Sequence, residues 1–494
     1  MASANQYPPP TQSPPRVPPV YRGRRSLTGP VILIAIGVIF LLSNLHVIHG
    51  WQVWAWFGHW WPVLLILWGV TALVEHASAQ RMGYRTRHLG VLGIVLLIVL
   101  VVVGVTAHYT SNANWGNVRD QLQMDDDDLG GIFGSPYTYE DTLGQSFPAN
   151  GDLRVVCDRG TLNITPSEDN QIHVVVHKKL YAHQESDANK YNEGTKPQIT
   201  VNGTSVLLNA NTDGAGDHGV TADMDISVPA GAAVDIASKR GDVTINERKA
   251  GVKISLQHGD VALSDISGAV QVNLEKGSVR ATQINGDVDI SGRVDSVTLE
   301  DVSGAARLNG DFYEDVRLSK IAKTVTFKTS RSDMQFASIP GDMDIASDQV
   351  RGNELSGPSR VVTSSKDIHL EDVSGDLEVQ SNNGGVEITT GSKGPAGKMN
   401  ITTEHGDVAV TLDGKTPPDK VNVATQHGDV TLTVGSGLGF QVSAVTGKGD
   451  ISSEFDAVKV NDNNGSSRAN GTVGNGGSKL QVATETGDIK IAKS

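Results

Sequence analysis

The sequence has almost no cysteine, and most of it has no tryptophan. Cys157 is the only cysteine among 494 residues, so the chain can form neither an internal disulfide nor a zinc site built from cysteines. All seven tryptophans lie at or before Trp115. With 55 glycines and only 5% aromatic residues, the composition differs from that of an ordinary mixed α/β enzyme. A domain after Trp115 must be stabilised in another way, which size and repetition can provide.

Basic residues are also scarce after the first quarter of the chain. Residues 1–110 contain seven arginines and a single acid, Glu75, for a net charge of +6. Since the whole chain has a net charge of −14, the remainder carries −20. Such an acidic surface repels phosphate backbones, because nucleic-acid binding depends on Lys and Arg side chains that release counterions. We therefore expect no nucleic acid among the partners.

Charged residues are missing altogether from Ser26 to Val74. A helix that crosses the bilayer needs about 20 residues, so this run is too long for one span and suits two. The two spans are PVILIAIGVIFLL and WPVLLILWGVTALV, and a third runs from Leu89 to Ala107. We therefore predict three transmembrane helices in residues 28–107, preceded by a disordered, proline-rich cytoplasmic tail in residues 1–27.

Arginine and tryptophan side chains predict the orientation of these helices. Basic residues precede the first span and occur in the loop between the second and third spans, whereas the first loop has none. Cytoplasmic loops are enriched in Lys and Arg, so everything after Ala107 is predicted to lie outside. The arginines that carry this prediction are Arg22, Arg24, Arg25, Arg81, Arg85 and Arg87. Indole rings favour the membrane interface, which is predicted for Trp51, Trp54, Trp56, Trp60 and Trp61.

The run GPVILIAIGVIFLLSNLHVI, followed by WWPVLLILWGV, resembles the transmembrane region of LiaI/LiaF-like bacterial membrane proteins. The resemblance covers roughly residues 28–105 and rests on a glycine-containing apolar helix followed by a Trp-Trp-Pro helix. It implies a link to cell-envelope stress responses. The expected location is the bacterial cytoplasmic (inner) membrane, where the helices contact membrane lipid. The N-terminus is expected to be cytoplasmic and the C-terminal domain extracytoplasmic or periplasmic.

A short pattern, Gly-Asp-apolar-x-apolar, recurs from Gly151 onward. Alternation of apolar and polar residues predicts short, half-buried strands. Glycine can supply a positive φ, and the Asp side chain can bond the backbone two residues on, so each Gly-Asp pair predicts a turn. These structural turns are Gly241 and Asp242, Gly259 and Asp260, Gly286 and Asp287, Gly341 and Asp342, Gly375 and Asp376, Gly406 and Asp407, Gly428 and Asp429, and Gly487 and Asp488. A second phrase, Asp-[Ile/Val]-Ser-Gly, begins at Asp265, Asp301 and Asp372.

The spacing of the repeats predicts the fold. Copies lie 18 residues apart, or 21 or 22 in the later part, a period typical of solenoids, propellers or arrays. Helical periodicity and propeller phrases are missing, which favours a single-chain, β-helix-like β-solenoid with Val, Ile and Leu stacked inward. The predicted fold is thus a membrane-anchored all-β protein. Its expected parts are three transmembrane helices, a linker at 108–146, a β-rich capping part at 147–230 and a Gly-Asp repeat solenoid at 231–494. The low-complexity stretch from Asn461 is predicted to be a loop.

These repeats resemble the bacterial putative-adhesin family of Gly-Asp β-strand repeat proteins. More loosely, they resemble the toast-rack domains found beside LiaF-type helices. The resemblance covers about residues 150–494 and implies an adhesin-like envelope protein.

Two motifs could carry binding chemistry, but the repeat explains both. Arg240-Gly241-Asp242 spells a cell-adhesion tripeptide, although the turn already requires its Gly-Asp pair. His258, His405 and His427 each precede Gly-Asp, whereas a metal site needs three or four converging ligands. We therefore predict no catalytic, cofactor-binding or metal-binding residues.

Three functions remain open. The protein could display its acidic solenoid as a binding or scaffold module for a wall polymer or an envelope protein. Alternatively, it could regulate the envelope stress response through its helices, by contacting a sensor kinase or another membrane partner. A polysaccharide-active β-helix enzyme is the weakest alternative, since the acids occur mainly once per repeat instead of clustering in a cleft. The prediction is a protein that is not an enzyme.

Overall fold

The computed structural model describes Val63 and residues 134–213, 220–391, 396–412, 418–463 and 465–494. The chain divides into two compact units, Met1–Gln123 and Met124–Ser494. Apart from Val63, the three predicted transmembrane helices lie outside the described residues, as do the interface tryptophans and the topology arginines. No helix within the described residues has both the length and the apolar character needed to cross a bilayer.

The second unit begins with seven strands and one helix. They are β1 (Ser135–Ser146), β2 (Asp152–Arg159), β3 (Leu162–Pro166), β4 (Gln171–Ala182), α1 (Glu185–Gly194), β5 (Gln198–Asn202), β6 (Ser205–Asn209) and β7 (Val220–Val228). β4 pairs antiparallel with β1 and β7, and β5 pairs antiparallel with β6. β1 thus occupies part of the segment predicted to be a linker. α1 was not predicted, because it buries only Ala188 and Asn192 and therefore shows little periodicity.

The first run of solenoid coils follows, with strands that alternate between two sheets. They are β8 (Ala233–Arg240), β9 (Val243–Arg248), β10 (Val252–His258), β11 (Val261–Ile266), β12 (Val270–Lys276), β13 (Val279–Ile284), β14 (Val288–Val294), β15 (Val297–Val302), β16 (Ala306–Phe312), β17 (Val316–Ile321) and β18 (Val325–Lys328). The odd-numbered strands from β9 to β17 are parallel neighbours in sheet A. The even-numbered strands from β8 to β18 are parallel neighbours in sheet B. β2 extends sheet B beyond β8, and β3 extends sheet A beyond β9.

Apolar side chains from successive coils stack between the two sheets. In sheet A, Val243, Val261, Val279 and Val297 are partners in register, and all four are buried. Because every coil repeats the same alternation, an inward position in one coil is an inward position in the next. The prediction of an all-β solenoid with inward aliphatic ladders is confirmed.

A single strand, β19 (Ser332–Ile345), interrupts the parallel stack. It pairs antiparallel with β18 in sheet B and then with β17 in sheet A. Gly341 and Asp342, predicted to form a turn, lie inside this strand. The reason is that buried side chains continue on both sides of the pair, at Ile339 and Met343, as the strand passes from one sheet into the other.

Parallel stacking then resumes. The strands are β20 (Gln349–Asn353), β21 (Ser356–Thr363), β22 (Asp367–Val373), β23 (Gly375–Asn383), β24 (Val386–Thr390), β25 (Ala396–His405), β26 (Val408–Leu412), β27 (Lys420–His427) and β28 (Val430–Val434). β20 and β21 are both antiparallel to β19, which restores the strand direction of the first run. The even-numbered strands now belong to sheet A and the odd-numbered strands to sheet B.

The chain ends with coils whose order in space differs from their order in sequence. The strands are β29 (Phe440–Lys448), β30 (Ile451–Ser453), β31 (Val458–Asn463), β32 (Ser466–Val473), β33 (Ser478–Thr486) and β34 (Ile489–Lys493). β33 lies between β27 and β29, and β34 lies between β28 and β30. The low-complexity stretch predicted to be a loop largely forms the antiparallel pair β31–β32, where Ser467 and Ala469 are small enough to be buried.

The aspartates of the Gly-Asp turns connect one coil to the next. Asp242 Oδ1 accepts a hydrogen bond from the backbone N–H of Asp260 at 2.9 Å, and Asp260 Oδ1 accepts one from Ser278 at 2.8 Å. The sequence predicts a bond within the same turn; the bond reaches the neighbouring coil because stacked strands lie only about 4.8 Å apart. The same bond joins Asp287 to Ala305, Asp376 to Lys398, Asp407 to Asp429, Asp429 to Asp488, and Asp488 to Asp450.

The glycines of these turns are needed for two physical reasons. Gly259 has a φ of 140°, and a Cβ there would lie 2.3 Å from the carbonyl oxygen of Gly241. Positive φ also occurs at Gly241, Gly375, Gly406, Gly428 and Gly487. Gly286 lacks a positive φ, but a Cβ there would lie 2.2 Å from the carbonyl oxygen of Gly268. Close contact between coils therefore restricts this position even without backbone strain.

The Asp-[Ile/Val]-Ser-Gly phrase marks a second column of corners. Seven residues other than glycine have φ between 51° and 56° at equivalent places: Glu247, Asp265, Gln283, Asp301, Lys320, Glu354 and Asp372. In this left-handed conformation Asp and Asn are enriched several-fold over other side chains. Each of these residues redirects the chain at the edge of sheet A.

The Gly-Asp turns yield a stability prediction. In a fragment spanning residues 124–494, Gly259→Val should lower the free energy of unfolding by more than about 3 kcal/mol, from backbone strain and the clash with Gly241. Asp260→Asn keeps an acceptor oxygen and should cost less than about 1 kcal/mol. Urea unfolding measures both. Gly231→Ala is the control, because a Cβ at Gly231 meets no atom within 4 Å. Equal losses for the valine and asparagine variants would contradict this account.

Cys157 yields a second prediction. Its side chain is 1% exposed, its Sγ contacts the carbonyl oxygen of Ala222, and burial raises the pKa of the thiol to about 12. Since the thiolate is the reactive form, the native protein should not react with thiol reagents at pH 8, whereas the unfolded protein should react fully. Reductant should leave the melting temperature unchanged. A reductant-sensitive dimer band on a gel would refute this prediction.

Candidate functional site

Polar side chains form one continuous row along the outer face of sheet B. Neighbouring strands place them in register, so that each is the pairing partner of the next. The row, called here the sheet B track, consists of Asp235, Lys253, Gln271, Asp289, Arg307, Thr326, Gln335, Arg360, Glu378, Asn400, Asn422, Gln481, Ser443 and Asn470. None of these side chains is buried. The track therefore offers hydrogen-bonding groups at intervals of about 4.8 Å.

The described part of the solenoid has depressions on this face, among them the following three. Two, of about 350 and 440 Å³, adjoin each other over β10 and β12 and share Ser255 and Asn273. The third and largest, of about 630 Å³, lies where β19 interrupts the stack and is called here the β19 groove. Its lining residues are Thr324, Gln335, Ala337, Pro358, Ser359, Arg360, Asp376, Leu377, Glu378, Lys398 and Asn400. A volume of this size is within the range of ligand-binding clefts.

Contacts among the side chains of the track hold some of them in place. Arg360 lies between two acids, with Nη1 3.5 Å from Asp333 Oδ2 and Nε 3.6 Å from Glu378 Oε2. Asn422 Nδ2 donates to Asn400 Oδ1 at 2.8 Å. These contacts orient the polar groups across the coils before any ligand is bound.

The track as a whole cannot be recognised from the sequence. The signal was present only in part, as Lys253, Gln271, Asp289 and Arg307 are each 18 residues apart. Beyond Arg307 the spacing changes, because β19 interrupts the repeat. The strand register that joins the part of the track before β19 to the part after it can be seen only in the structure.

The motifs that the sequence singled out lie at the edge of the solenoid, next to the Gly-Asp turns. Arg240 is in register with His258, and the Asp242 carboxylate accepts the bond from the next coil. The imidazoles of His405 and His427 stack with their ring centroids 4.9 Å apart and their planes 5° from parallel. Parallel rings do not direct their nitrogens to a common point. Among the described residues, no group of three or more His, Cys, Asp or Glu side chains could hold a metal ion.

A buried charged cluster joins β1 and β4 to the segment after α1. The Lys178 side chain is fully buried, with Nζ 2.5 Å from Asp141 Oδ2 and 3.3 Å from the carbonyl oxygen of Thr195. Lys196 Nζ lies 2.7 Å from Asp141 Oδ1. Burial lowers the pKa of Lys178. Burial alone would raise the pKa of Asp141, but hydrogen bonds from Lys178 and Lys196 outweigh this effect, so the pKa of Asp141 is lowered. The ionised cluster thus cross-links three elements.

A second buried cation, Arg248, occupies an inward position in sheet A. In the next coil the equivalent position is Ile266. The Arg248 guanidinium donates to the carbonyl oxygens of Val228 at 3.0 Å and Ala232 at 3.2 Å, and also to that of Pro229. Burial lowers its pKa to about 10. Arg248 therefore ties the first solenoid coil to the loop that leads into it.

His369 links two coils on the outer face of sheet A. Its Nε2 lies 2.8 Å from Glu371 Oε1, and its Nδ1 lies 2.9 Å from Glu387 Oε2. The hydrogen bond to Glu371, followed by that to Glu387, raises the pKa of His369. Only an imidazolium donates from both nitrogens, so this arrangement is a charged link and leaves neither nitrogen free to act as a base.

Two family models match the chain. Residues 152–492 match Toastrack DUF4097, and residues 28–118 match the LiaF transmembrane domain. Both matches agree with the resemblances that the Trp-Trp-Pro helix and the Gly-Asp repeats indicate, which are thereby confirmed. None of the curated proteins matches the chain.

Two solved structures are similar to the chain. One is a putative cell adhesion protein from Clostridium sporogenes, which is 10% identical; the match covers 72% of this chain and 100% of that chain, with a TM-score of 0.17. The other is a putative adhesin from Bacteroides fragilis, which is 11% identical; the match covers 72% of this chain and 97% of that chain, with a TM-score of 0.16. At these TM-scores neither structure supports an argument about this chain.

The family matches, unlike the structural ones, are decisive. The Toastrack match extends over most of the chain and includes every coil of the solenoid. A LiaF transmembrane domain precedes it, which makes the protein a bacterial membrane protein. The chain therefore belongs to the Toastrack DUF4097 family.

Proposed function

We propose that the protein anchors its solenoid in the cell envelope and displays it outside the membrane as a binding or scaffold module. The observation that carries this proposal is the sheet B track, a row of exposed polar side chains that continues through both runs of coils. A wall polymer or an extended envelope protein could meet equivalent groups on many coils at once. Several weak contacts at matched intervals give an overall affinity that none of them gives alone.

The position outside the membrane is supported by the charge distribution ahead of the solenoid. Three transmembrane helices with arginines before the first and between the second and third leave the C-terminal unit on the far side. The match to the LiaF transmembrane domain supports the presence of membrane-spanning segments in this region. The net charge of −20 after residue 110 also suits a domain that stays clear of anionic lipid headgroups.

Binding also accounts better than catalysis for the buried charged groups. Lys178 is held by Asp141 and by main-chain carbonyl oxygens, and Arg248 is held by carbonyl oxygens alone. Both cations have structural partners inside the protein and do not face a depression. A catalytic acid or base needs to reach a substrate, which these positions do not allow.

The second candidate function is regulation of the envelope stress response through the transmembrane helices. The observation that favours it is the match of residues 28–118 to the LiaF transmembrane domain. In this case the first loop, with Trp51, Trp54 and Trp56, would contact a sensor kinase or another membrane partner. The two candidates differ in which part of the chain they require.

The orientation can be tested with reporter fusions in a bacterial host. Alkaline phosphatase, which is active only outside the cytoplasm, should be inactive when fused after Glu75 or Arg87 and active when fused after Ser111. Fusions to a fluorescent protein that matures in the cytoplasm serve as the control and should show the inverse pattern. A cytoplasmic signal at Ser111 would rule out the three-helix topology.

The two candidate functions can be separated with two altered proteins, one truncated and one with three substitutions in the full chain. A chain truncated after residue 133 should no longer co-sediment, in nanodiscs, with purified cell-wall material. Replacement of Trp51, Trp54 and Trp56 by Ala should leave this co-sedimentation unchanged, because the membrane loop takes no part in it. Activity of an envelope-stress promoter should be measured in parallel. If the tryptophan variant alone alters the promoter and the truncation behaves as wild type in both assays, regulation is the function.

A further inference from the structure

The β19 groove exists because the solenoid repeat fails at this point. Register shifts occur between Phe336 and Ser338 where β19 pairs with β21, and between Gly375 and Leu377 where β23 pairs with β25. At the first shift the outward positions are taken by small side chains, Ala337 and Pro358. Longer side chains on both sides flank an open depression of about 630 Å³. Gln335, from the reversed strand, thereby lies beside Arg360.

Polar groups that donate and accept hydrogen bonds line part of this groove, while apolar atoms make up the larger share of its accessible lining. The track contributes Gln335, Arg360, Glu378 and Asn400, which come from four adjacent strands in register. Gln and Asn amides each offer an N–H donor and an oxygen acceptor, Arg only donates, and an ionised Glu only accepts. The hydroxyl groups of a ligand, which both donate and accept, can therefore be satisfied at each step along the groove.

The charges in the lining cancel. Arg360 and Lys398 are basic, and Asp376 and Glu378 are acidic. Arg360 is already close to Glu378 and to Asp333 outside the groove, and the Asp376 carboxylate accepts from the backbone of Lys398. A polyanion would gain little here, since its binding depends on an excess of Lys and Arg. The chemistry favours a ligand without net charge.

The groove is also unsuited to a protein partner. Protein interfaces are anchored by large aromatic or aliphatic side chains in their centres. In the part of the solenoid that the structure describes, the large apolar side chains exposed on the surface are Tyr313, Val445 and Val460, and none of them lines the groove. An uncharged, hydroxyl-rich chain remains as the ligand that fits.

We propose that the β19 groove binds an uncharged glycan strand, with Gln335, Arg360, Glu378 and Asn400 as the hydrogen-bonding groups. This inference rests on the proposed function and specifies its ligand. Asn400 is central, because its Oδ1 accepts from Asn422 and its Nδ2 is therefore the group left to meet a ligand in the groove that Asn400 lines. A hydroxyl or acetamido oxygen of the glycan accepts from this Nδ2, and Glu378 accepts from the glycan in turn. The glycan lies across the strands, along the direction of the track.

The test is a titration of the full-length protein in nanodiscs by calorimetry, with three tetrasaccharide probes. The N-acetylglucosamine and glucose tetramers are uncharged, and the galacturonate tetramer is anionic. At least one uncharged probe should bind, and galacturonate should bind at least fivefold more weakly. Asn400→Ala and Glu378→Ala should each weaken binding of the uncharged probe at least fivefold. Asn353→Ala is the matched control, because Asn353 is an exposed amide of β20 in sheet A, outside both the track and the groove, and this variant should bind as wild type.

Melting temperatures of the three variants verify that the fold is intact. No binding of either uncharged probe, preferential binding of galacturonate, or equal affinities for the Asn400 and Asn353 variants would each overturn the assignment. Co-sedimentation of the same variants with cell-wall material keeps the two proposals apart. If Asn400→Ala still sediments fully with the wall, the module has its function but uses another surface.

Discussion

Backbone pairing between successive coils is the constraint on which the rest of this structure depends. Parallel strands align residue with residue, so Val261 lies between Val243 and Val279, and Asp260 lies between Asp242 and Ser278. Every side chain therefore has its own equivalents as nearest neighbours, about 4.8 Å away on either side. A residue type is acceptable in this fold only if it can stack on copies of itself or on near substitutes. Valine, threonine, aspartate and glycine satisfy this condition.

The same constraint explains how an acidic, disulfide-free domain is held together. Asp side chains at a coil edge would repel each other, but each accepts a backbone N–H from its neighbour; at Asp287 that bond lowers the pKa of the carboxyl. In the last coils, buried hydroxyl groups also form hydrogen bonds to the backbone of the neighbouring coil, on the inner side of the turn. Thr446 and Thr484 donate to the carbonyl oxygens of Gly487 and Gly428. These two hydroxyl groups at the edge of the core are thus satisfied by the neighbouring coil.

The periodic features of the fold could be predicted from the sequence alone, whereas the non-periodic features could not. The alternation in GDVTI and its copies predicted inward aliphatic ladders, since period and burial follow from the same residues. Nothing local marks β19 as reversed, because the two breaks in its alternation, near Ser338 and Gly341, do not indicate the direction of the strand. The insertion of β33 between β27 and β29 is likewise invisible, as the three strands have equivalent patterns. For the turn aspartates, the sequence predicted a hydrogen bond to the backbone two residues on. The bond goes to the neighbouring coil, because the backbone of that coil lies within reach of the carboxylate.

The distribution of function in this fold follows from the same distinction. Repetition aligns the outward residues of successive coils, and the sheet B track is such a row of polar groups, which can hold a polymer. Its residue types also vary in the regular coils, as at Asp235, Lys253 and Gln271. Discrimination between polymers therefore also needs a depression that holds the ligand, and the largest of the three depressions lies where β19 disturbs the stacking. The β19 reversal brings an amide, a guanidinium, a carboxylate and a second amide side by side at Gln335, Arg360, Glu378 and Asn400. The least regular point of the solenoid is therefore the place where its structure is most informative about its ligand.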